Sequence, residues 1–190
     1  MSGNSGNESG SSKDPEAAPP KKSTEERLAE LENEGHGPQR HGPEVTDQQL
    51  IDRAQHGVDP MTGTTTDGVT GNPHKSSRTA SRVNTAEDYV AGEEGVRNSP
   101  EFEAARKQAE ATGDDFLEVQ KPLEDLYGPE YPSKVTGVTR NGPKTPVGTQ
   151  PAQPPSPTDF TDGNMVLRMR KNANGDWETI TMYPDPKAAP

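Results

Sequence analysis

A shortage of large apolar side chains is what most constrains this chain. Leu, Ile, Val and Phe number 7, 2, 11 and 3, together 23 of 190 residues, well under the roughly 20% below which a sequence usually fails to offset its ordering entropy. The 20 Pro, 19 Gly and net charge of -11 point the same way. One folded unit of about 120–150 residues with disordered flanks is the most this arithmetic allows. No apolar run approaches the ~18 residues of a membrane span, and MSGNSGNESG lacks the basic and apolar regions of a signal peptide. Zero Cys excludes disulfides and thiolate metal sites and leaves the redox compartment open.

Local signals divide the chain. Residues 1 to about 22 are Gly, Ser, Asn, Pro and charges, the composition of a solvated linker. Ser23 or Thr24 caps a short helix carrying Leu28 and Leu31 and stopping at Gly35. So few apolar groups make it marginal alone, and residues 1–35 are expected to be linker. The folded unit is expected over residues 36–185, with 186–190 as tail. Thr46 and Gln49 form a capping-box pair that opens a helix over about 47–55, with Gly57 as its stop. The stretch from Asp59 to Pro73 has nothing to bury and reads as a mobile loop. Asn84 or Thr85 caps a helix through Tyr89 and Val90. Ser99-Pro100 opens another that closes at Gly113. Residues 116–127 read as a short strand or turn, then a helix beyond Pro122. Residues 134–140 alternate as a strand, and 141–158 form a Pro- and Gly-rich loop. Two β-rich runs, Met165–Arg170 and Trp177–Tyr183, flank an Asn-Ala-Asn-Gly-Asp connection and read as a hairpin. The expected fold class is α+β: a small helical part packed on a twisted antiparallel sheet, with a disordered N-terminal tail and long Gly/Pro-rich loops.

Charge is unevenly placed. Nine acids face three bases between residues 101 and 130, whereas six bases face two acids between 134 and 171. Lys75, Arg78 and Arg82 form another basic cluster. The overall charge argues against a nucleic-acid binder with a uniformly basic surface, but it permits a basic groove in front of an acidic helical back. The chain has no Gly-rich phosphate loop with its Lys, no GxSxG, no HExxH and no CxxC. His36, His41, His56 and His74 lie beside Gly or Pro at no spacing diagnostic of a metal. Solvent exposure is the ordinary expectation for His36, His56 and His74. In the last strand, alternation places Trp177, Thr179, Thr181 and Tyr183 on one face, with Ile180 and Met182 turned to the core.

Three blocks resemble a known family. His41-Gly-Pro-Glu-Val-Thr46-Asp-Gln-Gln-Leu50-Ile-Asp-Arg53 is similar to the opening motif of the bacterial RNase A-like toxin domain, found at the C-termini of contact-dependent growth inhibition and other polymorphic toxins. Thr79-Ala-Ser-Arg-Val-Asn-Thr-Ala-Glu87 resembles its second block, and Trp177-Glu-Thr-Ile-Thr181-Met-Tyr183-Pro184 its closing one. The His41-to-Arg53 spacing is one residue longer than the family pattern, and Arg82 stands where that pattern has an apolar residue or Ser.

The resemblance implies a metal-independent endoribonuclease needing no cofactor. His41 would take the proton from a ribose 2′-hydroxyl or return one to the leaving oxygen. Arg53 would hold the phosphate and stabilise charge building on it. Thr181 and Tyr183 would bond the phosphate or position the base. Arg78, Arg82, Lys134, Arg140 and Arg168 are the candidate substrate contacts. The resemblance further implies a monomer used in interbacterial competition, secreted or delivered into a target cell's cytoplasm, and countered by a cognate immunity protein. Two other readings stay open. One is a largely disordered, non-enzymatic interaction protein, which the composition favours. The other is a related nuclease with catalysis on His36, His56 or His74.

Overall fold

A computed structural model describes residues 20–188. Most of the linker expected over residues 1 to about 22 lies outside the described residues, as do the last two residues of the expected tail.

Helix ends fall where the caps predict. Helix α1 spans Thr24–Glu34, with Ser23 and Glu26 forming a capping box. Helix α2 spans Gly37–His41, and α3 spans Asp47–His56. In α3 the Thr46 hydroxyl accepts from the Gln49 amide at 3.1 Å, and Gln49 Oε1 accepts from the Thr46 amide at 2.8 Å. Its chain exits through Gly57 at φ 69°, a left-handed turn open to glycine at little cost. Helices α4 (Ala86–Arg97) and α5 (Pro100–Thr112) are capped by Thr85 and Ser99. A sixth, short helix α6 covers Leu123–Tyr127.

The fold is α+β, as expected, and its strands make two antiparallel three-stranded sheets. In the first, β1 (Thr79–Val83) pairs with β3 (Val135–Thr139), which pairs with β4 (Ser156–Pro157), a two-residue strand inside the expected 141–158 loop. In the second, β5 (Asn164–Lys171) lies between β2 (Phe116–Pro122) and β6 (Trp177–Asp185). The β5–β6 pair is the hairpin read from sequence.

Helix α1 belongs to the folded unit, which corrects the boundary drawn at residue 35. Leu31 is 1% exposed, in the same main core as Tyr89, Val96, Leu167 and Met182. Arg27 reaches from α1 to Glu93 of α4 at 3.1 Å. A helix too poor in apolar groups to stand alone is held by the buried Leu31, by Leu28 packed against the same core, and by ion pairs to its neighbour.

A bulge in β6 changes which side chains share a face. Thr179 pairs with Met169 and Thr181 with Arg168, leaving Ile180 as an extra residue. Trp177 and Thr179 therefore lie on the core side with Met169, and Met182 returns to that side opposite Leu167. Thr181 and Tyr183 turn to the other face, opposite Arg168 and Val166. The hydroxyl row expected over Thr179, Thr181 and Tyr183 is thus split. Thr179 instead donates to the buried Glu93 carboxylate at 2.9 Å and accepts from Arg97 at 3.1 Å. The bulge also docks α2: the His36 amide donates to the Ile180 carbonyl at 2.8 Å. A Cβ on Gly35 would sit 2.1 Å from that carbonyl oxygen, so the close pass requires glycine.

The segment from Asp59 to Pro73 is folded rather than loose. Asp59 Oδ1 accepts from the Met61 amide at 3.0 Å and Oδ2 from the Gly68 amide at 2.8 Å. Asp67 Oδ1 accepts from the amides of Val69 and Thr70 at 2.8 and 3.0 Å. Isolated bridges join Asp59 to Thr64 and Thr66 to Pro73. Carboxylates here take the place that apolar side chains have in a core.

Candidate active site

α2, α3, β1, β5 and β6 converge on a cavity of about 350 Å³ whose wall includes His36, Arg40, His41, Arg53, Arg168, Thr181 and Tyr183. All four residues that the family resemblance singles out meet there.

His41 ends α2 and is 6% exposed. Its Nδ1 lies 2.8 Å from the Ser81 carbonyl oxygen of β1. A carbonyl can only accept, so Nδ1 carries the hydrogen and Nε2 keeps its lone pair. That lone pair accepts from Arg53 Nη1 at 3.3 Å. Burial pushes His41 well below the ordinary histidine range, and the Arg53 charge adds to this against the Ser81 carbonyl. The ring is neutral at pH 7, with its unprotonated nitrogen turned to Arg53. The Tyr183 ring lies 5.1 Å from it, tilted by 34°.

Arg53 sits in the last turn of α3, but it is no solvated helix-end cation. Its Nε donates to His74 Nε2 at 3.2 Å. Among the described residues no carboxylate comes within ion-pair distance of it, because Arg40 takes both nearby acids. Arg40 Nε and Nη2 grip Asp59 at 3.1 and 2.7 Å, and Nη2 lies 3.1 Å from Asp67 Oδ2. Burial, with Arg40 beside it, lowers Arg53 to about 10, so it remains a cation at neutral pH. A half-buried guanidinium bonded to two imidazoles has charge to offer an anion.

On the facing strands, Thr181 is 5% exposed and its hydroxyl has no hydrogen-bond partner among the described residues, although it lines the cavity. Arg168 stands opposite Thr181, pairs with Glu118 at 2.9 Å and lies 5.8 Å from the centre of the Tyr183 ring. Burial raises the Tyr183 hydroxyl above the ordinary tyrosine range.

Four of the five expected substrate contacts lie away from the cavity. Arg82 binds the Val45 carbonyl at 3.0 Å and Asp47 at 2.6 Å, because alternation along β1 turns Thr79 and Ser81 to the cavity and Arg82 away. Lys134 lies 3.6 Å from Asp88. Arg78 donates to the Arg140 carbonyl at 2.7 Å, and Arg140 to the Gly142 carbonyl at 3.0 Å. Only Arg168 of that set lines the cavity, joined by Lys75 from the first basic cluster.

Nor are the other histidines exposed. His74 is buried, with Nδ1 2.9 Å from Asp67 Oδ2, and His56 Nδ1 lies 2.9 Å from the Thr145 carbonyl. His36 lines the cavity, and burial with Arg40 and Arg53 nearby brings it down to about 4. Sequence reading missed Arg40, Ser77, Thr79 and Asp185 as cavity residues. For Arg40 the signal was present, directly before His41. Donor atoms of Asp59, Asp67 and His74 lie within 4.8 Å of one another, a spacing that a metal ion could use. The Arg40 guanidinium already bridges the two carboxylates there and supplies the positive charge.

Among the described residues no helix is long and apolar enough to cross a membrane. Comparison with family models, curated proteins and solved structures finds no match for the chain.

Proposed function

We propose that this cavity cleaves RNA by attack of a ribose 2′-hydroxyl on the adjacent phosphodiester. The observation that carries the reading is the pairing of a neutral, buried His41, its unprotonated Nε2 turned to Arg53, with a half-buried Arg53 bonded to imidazoles instead of a carboxylate. His41 takes the 2′-hydroxyl proton, and the 2′-oxygen forms its bond to phosphorus. The bond to the 5′-oxygen breaks, and that oxygen leaves as a hydroxyl after gaining a proton. The products are a 2′,3′-cyclic phosphate and a 5′-hydroxyl. Arg53 stabilises charge building on the non-bridging oxygens. The unpartnered Thr181 hydroxyl donates to the same phosphate, and the Tyr183 ring offers a stacking surface to a base. Tyr183, whose hydroxyl burial keeps protonated, is the cavity group able to supply the leaving-group proton. Because the nucleophile is part of the substrate, the reaction proceeds in EDTA.

With the sequence resemblance, this chemistry makes the chain an endoribonuclease toxin of interbacterial competition. It acts in the cytoplasm of the cell that receives it and is countered by an immunity protein that covers the cavity. Wild-type protein incubated with total bacterial RNA in EDTA is expected to degrade it, and a folded His41→Ala variant to leave it intact. Intact RNA with folded wild-type protein would overturn the proposal.

A further inference from the structure

The 59–74 segment ends in an arrangement that the reaction above does not use directly. His74, its side chain buried, accepts from Arg53 Nε through Nε2 at 3.2 Å, and its Nδ1 faces Asp67 Oδ2 at 2.9 Å. Nδ1 therefore carries the hydrogen and Nε2 is a neutral acceptor. Asp67 is itself fixed by the Val69 and Thr70 amides and by Arg40. The order from the loop inward is carboxylate, imidazole, guanidinium and cavity. A carboxylate in the place of His74 would orient Arg53 equally well but would satisfy its charge, and a phosphate would then compete with it.

We propose that His74 is a positioning residue: its neutral imidazole, held in one tautomer by Asp67, fixes the Arg53 guanidinium towards the cavity and leaves the charge for a phosphodiester. The inference rests on the reading of the cavity as a phosphodiester site. It gives the long Gly/Thr-rich segment a function, which is to carry His74 behind Arg53. Arg40 contributes by occupying both carboxylates that would otherwise attract Arg53.

The test is a double-mutant cycle of His74→Leu with Arg53→Ala, read as kcat and KM on an RNA oligonucleotide and as the Kd for inorganic phosphate, with melting followed for every variant. His74→Leu is expected to lower kcat by about 10²-fold, the scale of a misplaced catalytic group. His74→Gln, whose amide oxygen can accept from Arg53, is expected to recover about tenfold of that loss, less than wild type because nothing fixes its orientation. In the Arg53→Ala background His74→Leu is expected to change kcat by less than about 2-fold, since a residue acting through Arg53 has nothing left to position. A purely structural role would instead multiply the two losses. That result, or a folded His74→Leu variant with wild-type kcat and phosphate affinity, overturns the inference. Should His74→Leu fail to fold, the same cycle is run with His74→Gln. Phosphate affinity separates the two claims. Wild-type protein that binds phosphate in a His74-dependent way but leaves RNA intact refutes the nuclease and keeps the positioning role. Protein that binds no phosphate refutes both.

Discussion

Each residue in the cavity answers to a different physical demand, and single substitutions separate them. Thr181→Val keeps the shape and removes only the unpartnered hydroxyl. On the proposed chemistry kcat/KM falls, while stability stays level or rises because a buried polar group without a partner is lost. Steady-state kinetics beside a thermal melt checks this, and a destabilised variant with full activity would contradict it. Arg53→Lys keeps a charge but loses the fork that reaches both His41 and His74, so activity is expected to fall by at least tenfold. The base must be neutral, and burial holds His41 well below the usual value near 6.5. The acid limb of the kcat/KM profile is therefore expected below pH 6.5, and a limb above it would contradict the assigned environment. Legibility differed residue by residue. His41, Arg53, Thr181 and Tyr183, which share the cavity wall, could be named from two short blocks because each fixes its side chains near a cap or a strand end. Arg78, Arg82, Lys134 and Arg140 could not be placed correctly, because charge counting along the chain ignores which face of a strand an arginine takes.

Among the elements, caps and turns were read correctly and docking was not. Ser23, Thr46, Thr85 and Ser99 start the helices for reasons local to a few residues. The β6 bulge was invisible to alternation, since a single extra residue changes every face assignment on one side of it. Its consequence is functional: without it Thr181 and Tyr183 could not share the cavity face while Thr179 serves Glu93. Deleting Ile180 removes the extra residue, so plain alternation keeps Thr181 and Tyr183 on the cavity face; the expected loss is of stability, through the His36 amide that the Ile180 carbonyl accepts, and a melting curve reads it. Gly35→Ala places a methyl group against the Ile180 carbonyl and is expected to lower stability and activity together. The marginal helix α1 proves to be an anchor because Leu31 enters a core it could not create alone. Leu31→Ala is expected to cost about 2–5 kcal/mol, measurable by urea unfolding. A cost near zero would mean that α1 is the loose linker its composition suggests.

The described residues, 20–188, fold despite a composition that argues for disorder. Three methionines (Met165, Met169 and Met182), Tyr89 and Trp177 fill the core where aliphatics are lacking. Buried ionic clusters around Glu93 and around Asp59 organise the rest. Counting aliphatics could not foresee this, because Met, Tyr and paired charges bury volume that the count leaves out. Stability is then tied to pH through the histidines. His36, His41 and His74 all titrate lower in the folded chain than when unfolded. Below about pH 6.5 the unfolded chain accordingly binds more protons than the folded one, and stability falls as pH falls. For His36 the loss continues to about pH 4. Melting temperature is expected to be lower at pH 5 than at pH 7.5, and saturating phosphate, by neutralising Arg53, is expected to narrow the gap. The account centres on a cavity built to turn a ribose 2′-hydroxyl against its own phosphate, so the most direct measurement is one RNA oligonucleotide compared with its 2′-deoxy counterpart in EDTA. Cleavage of the ribose strand alone, leaving a 2′,3′-cyclic phosphate that a folded His41→Ala variant no longer produces, is the predicted result. Cleavage of both strands, or products without the cyclic phosphate, would contradict it.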